Sequence, residues 1–206
     1  MKKKFLTAYK AEKFLSKYLP TSKNQLVNSP DKIKIKVPLV LKIVSPQAMH
    51  KSDIKGVRIV TDQARIVPEF RNLIYISNKN KLHLEGIMAQ EYTQGEKLII
   101  GIKKDPVFGH MILFGLGGIF TEVLDDIAVR KCPINMHDAQ DMIDELRASK
   151  IFKGFRGIEL NVELLKQVLV KTSQIPLKHK NITELDINPF ILNAKEGKVV
   201  DARIVF

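Results

Sequence analysis

The chain of 206 residues has a single cysteine, Cys132, and lacks a long apolar run. One cysteine excludes an internal disulfide and a cysteine-based zinc site, and it is typical of a reducing compartment. A membrane-spanning helix needs about 20 consecutive apolar residues, whereas the longest candidate, residues 112–120, is interrupted by glycines. The lysine-rich start is like that of a signal peptide, but Lys10, Glu12 and Lys13 break its apolar segment. We therefore expect a cytoplasmic protein with no membrane partner.

The formal net charge of +12 requires an anionic partner to be considered, and nucleic acid is the obvious one. The lysines, however, are spread over the whole chain and cluster only at residues 2–4 and 32–36. Aromatic residues are not interleaved with them, and there is no helix-turn-helix, zinc-finger or RNP-type signature. A nucleotide, an acidic partner subunit or a solvated lysine-rich surface explains the charge equally well, so nucleic acid is not favoured.

The length suits one sizeable domain or two small subdomains that share a core. Apolar residues at helical spacing predict helices over residues 7–19, 138–148 and 161–171, with Asp138 as the N-cap of the second. Further apolar segments predict strands over residues 38–44, 57–61, 87–91, 97–102 and 111–114. The polar stretch at residues 77–81 predicts a loop near a subdomain boundary. This mixture indicates an α/β or α+β fold in which helices cover a sheet.

The last two strand patterns bring together possible metal ligands. Residues two apart on a strand share a face, so Asp186 and Asn188 point together while Leu185 and Ile187 face a core. If the turn consists of residues 194–197, Asp201 lies within diagonal reach of Asn188 on the neighbouring strand. Oxygen ligands of this kind suit Mg²⁺, which takes one or two carboxylates from a protein and the rest from phosphates. A hairpin with a polar wet face is the open alternative.

Several segments are candidates for nucleotide contacts. Lys42 lies in an almost wholly apolar strand, and we expect it to emerge at the strand's end towards an anion, because a buried charge is costly. The backbone of residues 90–92 is suited to an adenine edge, and a carboxylate there could accept ribose hydroxyl protons. Glu91 and Glu96 are equally consistent with solvated charges at strand ends.

Two loops could take part in phosphate chemistry, one rich in glycine and one that contains a histidine. Gly115, Gly117 and Gly118 would let backbone amides approach a phosphate, although the run is neither a Walker A loop nor a dinucleotide fingerprint, and a bulged strand or tight turn is the alternative. His50 lies in a loop with lysines and a glycine, where a neutral imidazole can accept a phosphoryl group. A surface loop in which Ser52 or Asp53 caps a turn is the alternative.

In their order along the chain, these segments resemble the nucleotide-binding β subunit of ADP-forming acetyl-CoA synthetase, an ATP-grasp family related to succinyl-CoA synthetase. The resemblance covers nearly the whole chain, and eight short motifs in one order are more specific than any one of them. The motifs are VLKIVSP (40–46), HKSD (50–53), GE (95–96), DPVFG (105–109), FGLGGIFTEVL (114–124), GFRG (154–157), ELDINP (184–189) and VDAR (200–203).

The resemblance implies an ATP-grasp domain over residues 1–206, with an amino-terminal subdomain at 20–89 and a carboxy-terminal subdomain with the metal site at 90–206. Two departures from the family concern the first subdomain. Lys55 occupies one of two positions where the family has paired glycines, and residues 20–37 and 61–87 are shorter than expected. We therefore expect that subdomain to be trimmed, with helices shortened or lost.

The resemblance also implies roles for single residues. Lys42 would hold the α or β phosphate, the backbone of Gln90, Glu91 and Tyr92 would meet adenine, and Glu96 would bind ribose. The glycine run from Gly115 would shape the phosphate pocket. Asp186, Asn188 and Asp201 would hold Mg²⁺, and His50 would receive a phosphoryl group and pass it to ADP.

The implied activity is that of the nucleotide subunit of an acid–CoA ligase, in which acyl-CoA, ADP and phosphate become acid, CoA and ATP. The chain has no room for a CoA-binding domain, so a separate CoA-binding α subunit is expected as partner, in an α2β2 complex. Two alternatives stay open: a subunit of a succinyl-type CoA ligase or fused acyltransferase, and a basic nucleic-acid-binding protein on an ATP-grasp scaffold without turnover.

Overall fold

The computed structural model describes residues 4–48, 54–117 and 126–206. The chain divides into two compact units. The first consists of residues 1–5, 11–21 and 94–206, and the second consists of residues 6–10 and 22–93. Among the described residues, no helix is long and apolar enough to cross a membrane.

The second unit contains a four-stranded antiparallel sheet in the order β2-β5-β3-β4. Its strands are β2 (Asn24–Val27), β3 (Leu39–Val44), β4 (Val57–Val60) and β5 (Gly86–Glu91). One helix, α2 (Ile66–Lys79), covers one face through Phe70 and Leu73, which pack with Leu41 and Ile43 of β3. Side chains of β3 therefore alternate between this core and the opposite face.

The first unit contains a seven-stranded sheet in the order β1-β11-β9-β6-β7-β8, with β10 also paired to β9. Its strands are β1 (Phe5–Leu6), β6 (Glu96–Asp105), β7 (Gly109–Leu116), β8 (Ile127–Lys131), β9 (Glu184–Leu192), β10 (Gly197–Val199) and β11 (Ala202–Val205). The ladders that β6, β7, β8, β10 and β11 make in this sheet are antiparallel. Alternate residues such as Ile100, Phe114 and Ile187 are fully buried, which defines the core face of this sheet.

Three further helices complete the described fold: α1 (Ala8–Leu15), α3 (Met136–Asp144) and α4 (Val162–Lys178). Helix α3 contacts β7 and β8, whereas α4 contacts β6 and β7. Helix α1 ends four residues before the predicted end at residue 19. Helix α4 extends past the predicted end at residue 171 and contains Pro176.

The start of α3 differs from the prediction, because the N-cap is Asn135 and not Asp138. The Asn135 side chain accepts hydrogen bonds from the backbone amides of His137 and Asp138, at 2.7 and 3.0 Å. The Asp138 carboxylate in turn accepts from the Asn135 amide at 2.9 Å. This reciprocal pair is a capping box, in which Asp138 occupies the third helical position.

Two predictions in the second unit are wrong. Residues 77–79 belong to the last turn of α2, so the loop expected at 77–81 begins only at Asn80. Lys42 does not emerge at the end of its strand, because it lies in the middle of the β3 ladder opposite Val57 on β4 and Met88 on β5. Only 6% of Lys42 is exposed.

Candidate nucleotide and metal site

The predicted metal ligands lie on one face of the large sheet, and Asn188 and Asp201 are directly opposite each other. Strands β10 and β11 pair with β9 in one continuous register, and the Asn188 amide donates to the Asp201 carbonyl at 3.1 Å. The sequence predicted only a diagonal relation between these two residues. Asp186 lies two residues before Asn188, so it shares their face and is the diagonal neighbour of Asp201. Leu185 and Ile187, which flank Asp186 along the strand, are buried in the core.

A β-bulge sets the position of Asn188. On the β6 side of β9, Ile100 is opposite Ile187 but Leu98 is opposite Phe190, so Ile99 faces two residues, Asn188 and Pro189. A bulge bends its strand and redirects a side chain, and proline is tolerated there because a ladder hydrogen bond is already missing. The Asn-Pro pair of the sequence motif therefore marks the bulge that redirects the ligand strand.

The electrostatics of Asp186 suit a cation-binding group. Its side chain reaches solvent, yet desolvation by the surrounding protein is the main effect that raises its pKa. Arg203 lowers this pKa, whereas the negative charges of Asp201 and Glu184 raise it further. Desolvation and the two neighbouring carboxylates thus disfavour ionisation of Asp186, and a bound cation would relieve that penalty.

Three residues around Asp186 were not assigned a role from the sequence. Arg203 of β11 and Gly101 of β6 are its direct Cα partners on the two sides of β9. Glu184 lies two residues before Asp186 and accepts a hydrogen bond from Arg203 Nη2 at 3.1 Å. Gly101 leaves the position beside the carboxylate without a side chain. Arg203 belongs to the VDAR motif that the sequence showed. Its pairing with Asp186 could not be predicted without the register of β9 and β11.

Glu96, the predicted ribose ligand, is the first residue of β6 and is partly exposed. The preceding Gly95 has a φ of +156°, and a Cβ atom there would lie 2.3 Å from the Leu192 carbonyl oxygen. Only glycine allows β6 and β9 to approach this closely. Gly95 therefore fixes where β6 begins and, with it, the position of Glu96.

The glycine run has a packing role in the structure. Gly115 lies inside β7, which continues to Leu116 and so exceeds the predicted strand at 111–114. A Cβ atom on Gly115 would lie 2.8 Å from the Asp126 carbonyl oxygen, and one on Gly117 would lie 3.0 Å from the Lys97 carbonyl. The Gly117 amide also donates to Lys97 O at 2.6 Å. Close contact between backbones thus accounts for these two glycines without a phosphate.

In the second unit, Lys42 and Gln90 lie on the sheet face that points away from α2. Lys42 is opposite Met88, and Gln90, two residues further along β5, is opposite Val40. The two polar residues are therefore diagonal neighbours, about 7–8 Å apart. Gln90 is only 1% exposed. A cation and an amide on one buried face can together bind an anionic or polar ligand.

The backbone after Gln90 is largely engaged by protein groups. The Glu91 amide donates to Lys23 O at 2.9 Å and the Tyr92 amide to Pro38 O at 3.3 Å. The Glu91 carbonyl accepts from Ser22 Oγ at 2.7 Å. A contact between adenine and this segment would therefore have to use backbone groups other than these two amides. By strand alternation, the Glu91 side chain also belongs to the α2 side of the sheet, opposite to Lys42.

Two predicted residues, His50 and Gly118, lie outside the described residues. Among the described residues, no three or more His, Cys, Asp or Glu side chains group to bind a metal ion. The ligand set predicted from the sequence has two carboxylates and one amide, and that donor set suits Mg²⁺ bound together with phosphate oxygens. The carboxylates of Asp201 and Glu184 lie close enough to Asp186 to raise its pKa, so this face carries negative charge that a cation would balance.

A family model described as an ATP-grasp domain matches residues 1–206, the whole chain. The chain is 38% identical over 177 residues to the β subunit of ADP-forming acetate–CoA ligase I from Pyrococcus furiosus, covering 84% of this chain and 76% of the relative. It is 37% identical over 174 residues to ADP-forming acetate–CoA ligase I from Archaeoglobus fulgidus. That alignment covers 82% of this chain but only 25% of the relative, so the chain spans a quarter of that longer protein.

Solved structures agree with these relatives. Acetyl-coenzyme A synthetase 1 of Ca. Korarchaeum cryptofilum, in complex with coenzyme A, Ca-AMPCP and HgCl⁺, superposes with a TM-score of 0.95 at 38% identity, over 98% of this chain and 93% of that chain. A complex of the same enzyme with coenzyme A and Mg-AMPPCP has its phosphohistidine segment pointing towards the nucleotide-binding site, and superposes with a TM-score of 0.86 over the same shares. These findings confirm the predicted resemblance and the mixed helix–strand fold. The chain belongs to the ATP-grasp domain family, together with the β subunits of ADP-forming acetate–CoA ligases.

Proposed function

We propose that this chain is the nucleotide-binding β subunit of an ADP-forming acyl-CoA synthetase that uses acetyl-CoA or a related acyl-CoA. In this role it transfers a phosphoryl group from a phosphohistidine to ADP and so makes ATP. A separate CoA-binding α subunit, in an α2β2 complex, forms the acyl phosphate and its own phosphohistidine. The family match, the names of the relatives and the nucleotide analogues in the K. cryptofilum complexes support this proposal.

The single observation that carries the proposal is the cluster of Asp186, Asn188 and Asp201 on the solvent-facing side of the large sheet. Two carboxylates and an amide oxygen are enough protein ligands for Mg²⁺, since nucleotide phosphates complete its coordination. When bound, Mg²⁺ neutralises charge on the phosphates. The three side chains share one face because β10 and β11 pair with β9 in a continuous register and because β9 has a bulge at Asn188.

Lys42, Gln90 and Glu96 are proposed to bind the rest of the nucleotide. Lys42 lies on a buried sheet face, where the attraction between a compact ammonium group and a phosphate is stronger than in water. The Gln90 side chain lies on the same face and offers both donors and an acceptor. Glu96, anchored by Gly95 at the start of β6, accepts hydrogen bonds from the ribose hydroxyls.

His50 is proposed to carry the phosphoryl group between the α subunit and ADP. The N–P bond of phosphohistidine breaks as a β-phosphate oxygen of ADP forms the new P–O bond, and the imidazole keeps the electron pair. A covalent carrier divides one long transfer into two short ones and spares the release of a reactive group. Positioning and charge neutralisation account for most of the catalysis of such transfers.

Calorimetric titration of the chain with ADP, with and without Mg²⁺, tests the nucleotide part of the proposal. We expect saturable binding with one site per chain, and at least tenfold weaker binding in the presence of EDTA, because the acidic face then meets phosphates without an intervening cation. Absence of any binding up to millimolar Mg-ADP, by the chain and by its complex with the α subunit, would refute the assignment.

A further inference from the structure

Arg203 has an unusual setting on the ligand face. It is the direct Cα partner of Asp186 across β11 and β9, and it follows Asp201 by two residues on the same face. Two opposed residues of an antiparallel pair have Cβ atoms about 4.5–5.5 Å apart. A guanidinium therefore lies beside the carboxylates that are proposed to bind Mg²⁺, although a cation at that position competes with a metal for them.

Glu184 holds this guanidinium in place. Arg203 Nη2 donates to Glu184 Oε2 at 3.1 Å, and the two side chains are 39% and 33% exposed. A partly exposed ion pair of this kind contributes little to stability. The ion pair instead fixes the position of the guanidinium. The contact with Glu184 holds it towards the start of β9 and limits its approach to the Asp186 carboxylate.

The other side of the same row carries no side chain at the position beside Asp186. Gly101 is the partner of Asp186 on β6, and a Cβ atom there would make ordinary contacts with the Leu185 carbonyl oxygen at 3.7 Å and the Leu113 side chain at 3.8 Å. The row from Arg203 through Asp186 to Gly101 thus offers a cation, an anion and a position without a side chain. A phosphoryl group beside Asp186 would meet the Gly101 backbone on one side and a guanidinium on the other.

From this geometry we propose that Arg203 is a phosphate-binding residue of the nucleotide site and that Glu184 is the positioning residue that holds its guanidinium. The inference rests on the proposed nucleotide function and extends it to two residues. A guanidinium carries five N–H donors in a planar fork, so one edge can hold Glu184 while the other addresses phosphoryl oxygens. Two carboxylates and one Mg²⁺ together carry no net charge, so the negative charge of the phosphates remains. Arg203 neutralises part of it.

Affinities for Mg-ADP and for AMP distinguish this role from a structural one. If Arg203 binds the β phosphate, Arg203→Gln weakens Mg-ADP binding tenfold or more and leaves AMP binding within threefold, so the ratio of the two affinities collapses. A residue that only braces the sheet would lower both affinities together or change only the melting temperature. Arg203→Lys keeps a cation but loses the fork, and an intermediate loss of three- to tenfold for Mg-ADP is expected.

Glu184→Gln tests the positioning role, because it leaves Arg203 intact and removes its charged anchor. We expect a threefold to tenfold loss of Mg-ADP affinity in this variant. Arg130→Gln is the matched control: Arg130 forms an ion pair with Glu145 at 2.7 Å, and strand alternation places it on the other face of β8. The control should bind Mg-ADP as the parent does.

The outcomes separate this inference from the proposed function. If the parent chain binds no Mg-ADP, the proposed function fails. If the parent binds but both Arg203→Lys and Glu184→Gln match its ratio of Mg-ADP to AMP affinity, only the inference about Arg203 fails. Both of those variants keep a polar side chain of similar size at an exposed site, so the test does not depend on whether Arg203→Gln folds.

Discussion

Asn188 and Asp201 face each other across an antiparallel strand pair, and the Asn188 amide donates to the Asp201 carbonyl at 3.1 Å. Because backbone pairing fixes both residues, their side chains share a face whether or not a ligand is bound. The proposed metal site is therefore preorganised on strands, which hold side chains more precisely than loops do. Binding of a cation needs little rearrangement of the ladder.

Replacement of Asp186 by asparagine should weaken Mg-ADP binding tenfold or more, which is about 1.4 kcal/mol. Asparagine keeps the shape of the side chain but removes the negative charge that a hard cation requires. Calorimetry with Mg-ADP measures the change. The same substitution at Asp105, whose carboxylate accepts the backbone amides of Val107 and Phe108 in the β6–β7 turn, is the control and should not alter nucleotide affinity. Equal affinities of the Asp186→Asn chain and the parent would remove Asp186 from the ligand set.

Asp186→Asn should also raise the stability of the metal-free chain at neutral pH. The pKa of Asp186 is raised in the folded state, chiefly by desolvation, so its ionised form is less favourable there than in the unfolded chain. This penalty is fully present above the folded-state pKa and absent below the unfolded value of about 3.9. We expect Asp186→Asn to melt at a higher temperature than the parent at pH 7, with EDTA present. The difference should shrink as the pH falls through the folded-state pKa, and a difference independent of pH would contradict this account.

Two glycines on neighbouring strands should respond differently to alanine. A Cβ atom at Gly115 would lie 2.8 Å from the Asp126 carbonyl oxygen, a backbone atom that must then move. The Asp126 carboxylate is itself held by the backbone amides of Arg147 and Ala148, at 2.8 and 3.0 Å. Gly115→Ala should therefore lower the free energy of unfolding by about 1–3 kcal/mol.

Gly101→Ala is the matched control, since its nearest neighbour would be an ordinary 3.7 Å away. Its effect should stay within about 0.5 kcal/mol. Chemical denaturation of both variants measures the contrast. Equal losses at the two positions would show that the approach of Asp126 does not set the need for glycine at position 115.

The sequence was sufficient to predict that Asp186 and Asn188 share a face, because strand alternation is local and does not depend on the rest of the chain. It did not show that Asp201 is directly opposite Asn188, because this depends on the turn between their strands, where the Asn193 amide donates to the Glu196 carbonyl at 2.9 Å. The pairing of Arg203 with Asp186 depends on the same register.

Tertiary context decided the features that were predicted wrongly. Lys42 was expected at a strand end because burial of a charge is costly, but the strand continues on both sides of it and its face is buried. Asn135 and not Asp138 is the N-cap of α3. Both residue types are good caps, and the backbone conformation, which is extended at Asn135 and helical from Met136, decides between them. The segment at 77–79 is polar, yet it continues α2, because Ser77 lies four residues after Leu73 on the buried face of the helix.

Cys132 should react slowly with thiol reagents in the folded chain. Burial raises the pKa of its thiol to about 12. At pH 8 about one molecule in ten thousand would carry the reactive thiolate, whereas an ordinary cysteine with a pKa of about 8.5 is roughly a quarter ionised. Alkylation by iodoacetamide at pH 8 should be at least a hundredfold slower than in the chain unfolded by guanidinium. Similar rates in the two states would contradict the raised pKa of this partly buried thiol.

His50→Asn should separate the two halves of the proposed phosphoryl relay. Asparagine keeps a polar side chain of similar reach but cannot form a phosphoramidate as the imidazole nitrogen does. With the CoA-binding α subunit, acyl-CoA and radiolabelled phosphate, the variant complex should still cleave acyl-CoA and label the α subunit, yet form almost no ATP. His83→Asn changes an exposed histidine that has no role in the proposal; it is the control and should make ATP at the parent rate. If the His50→Asn complex also makes ATP at the parent rate, the phosphoryl group passes directly from the α subunit to ADP, and the β chain contributes only the nucleotide and metal ligands.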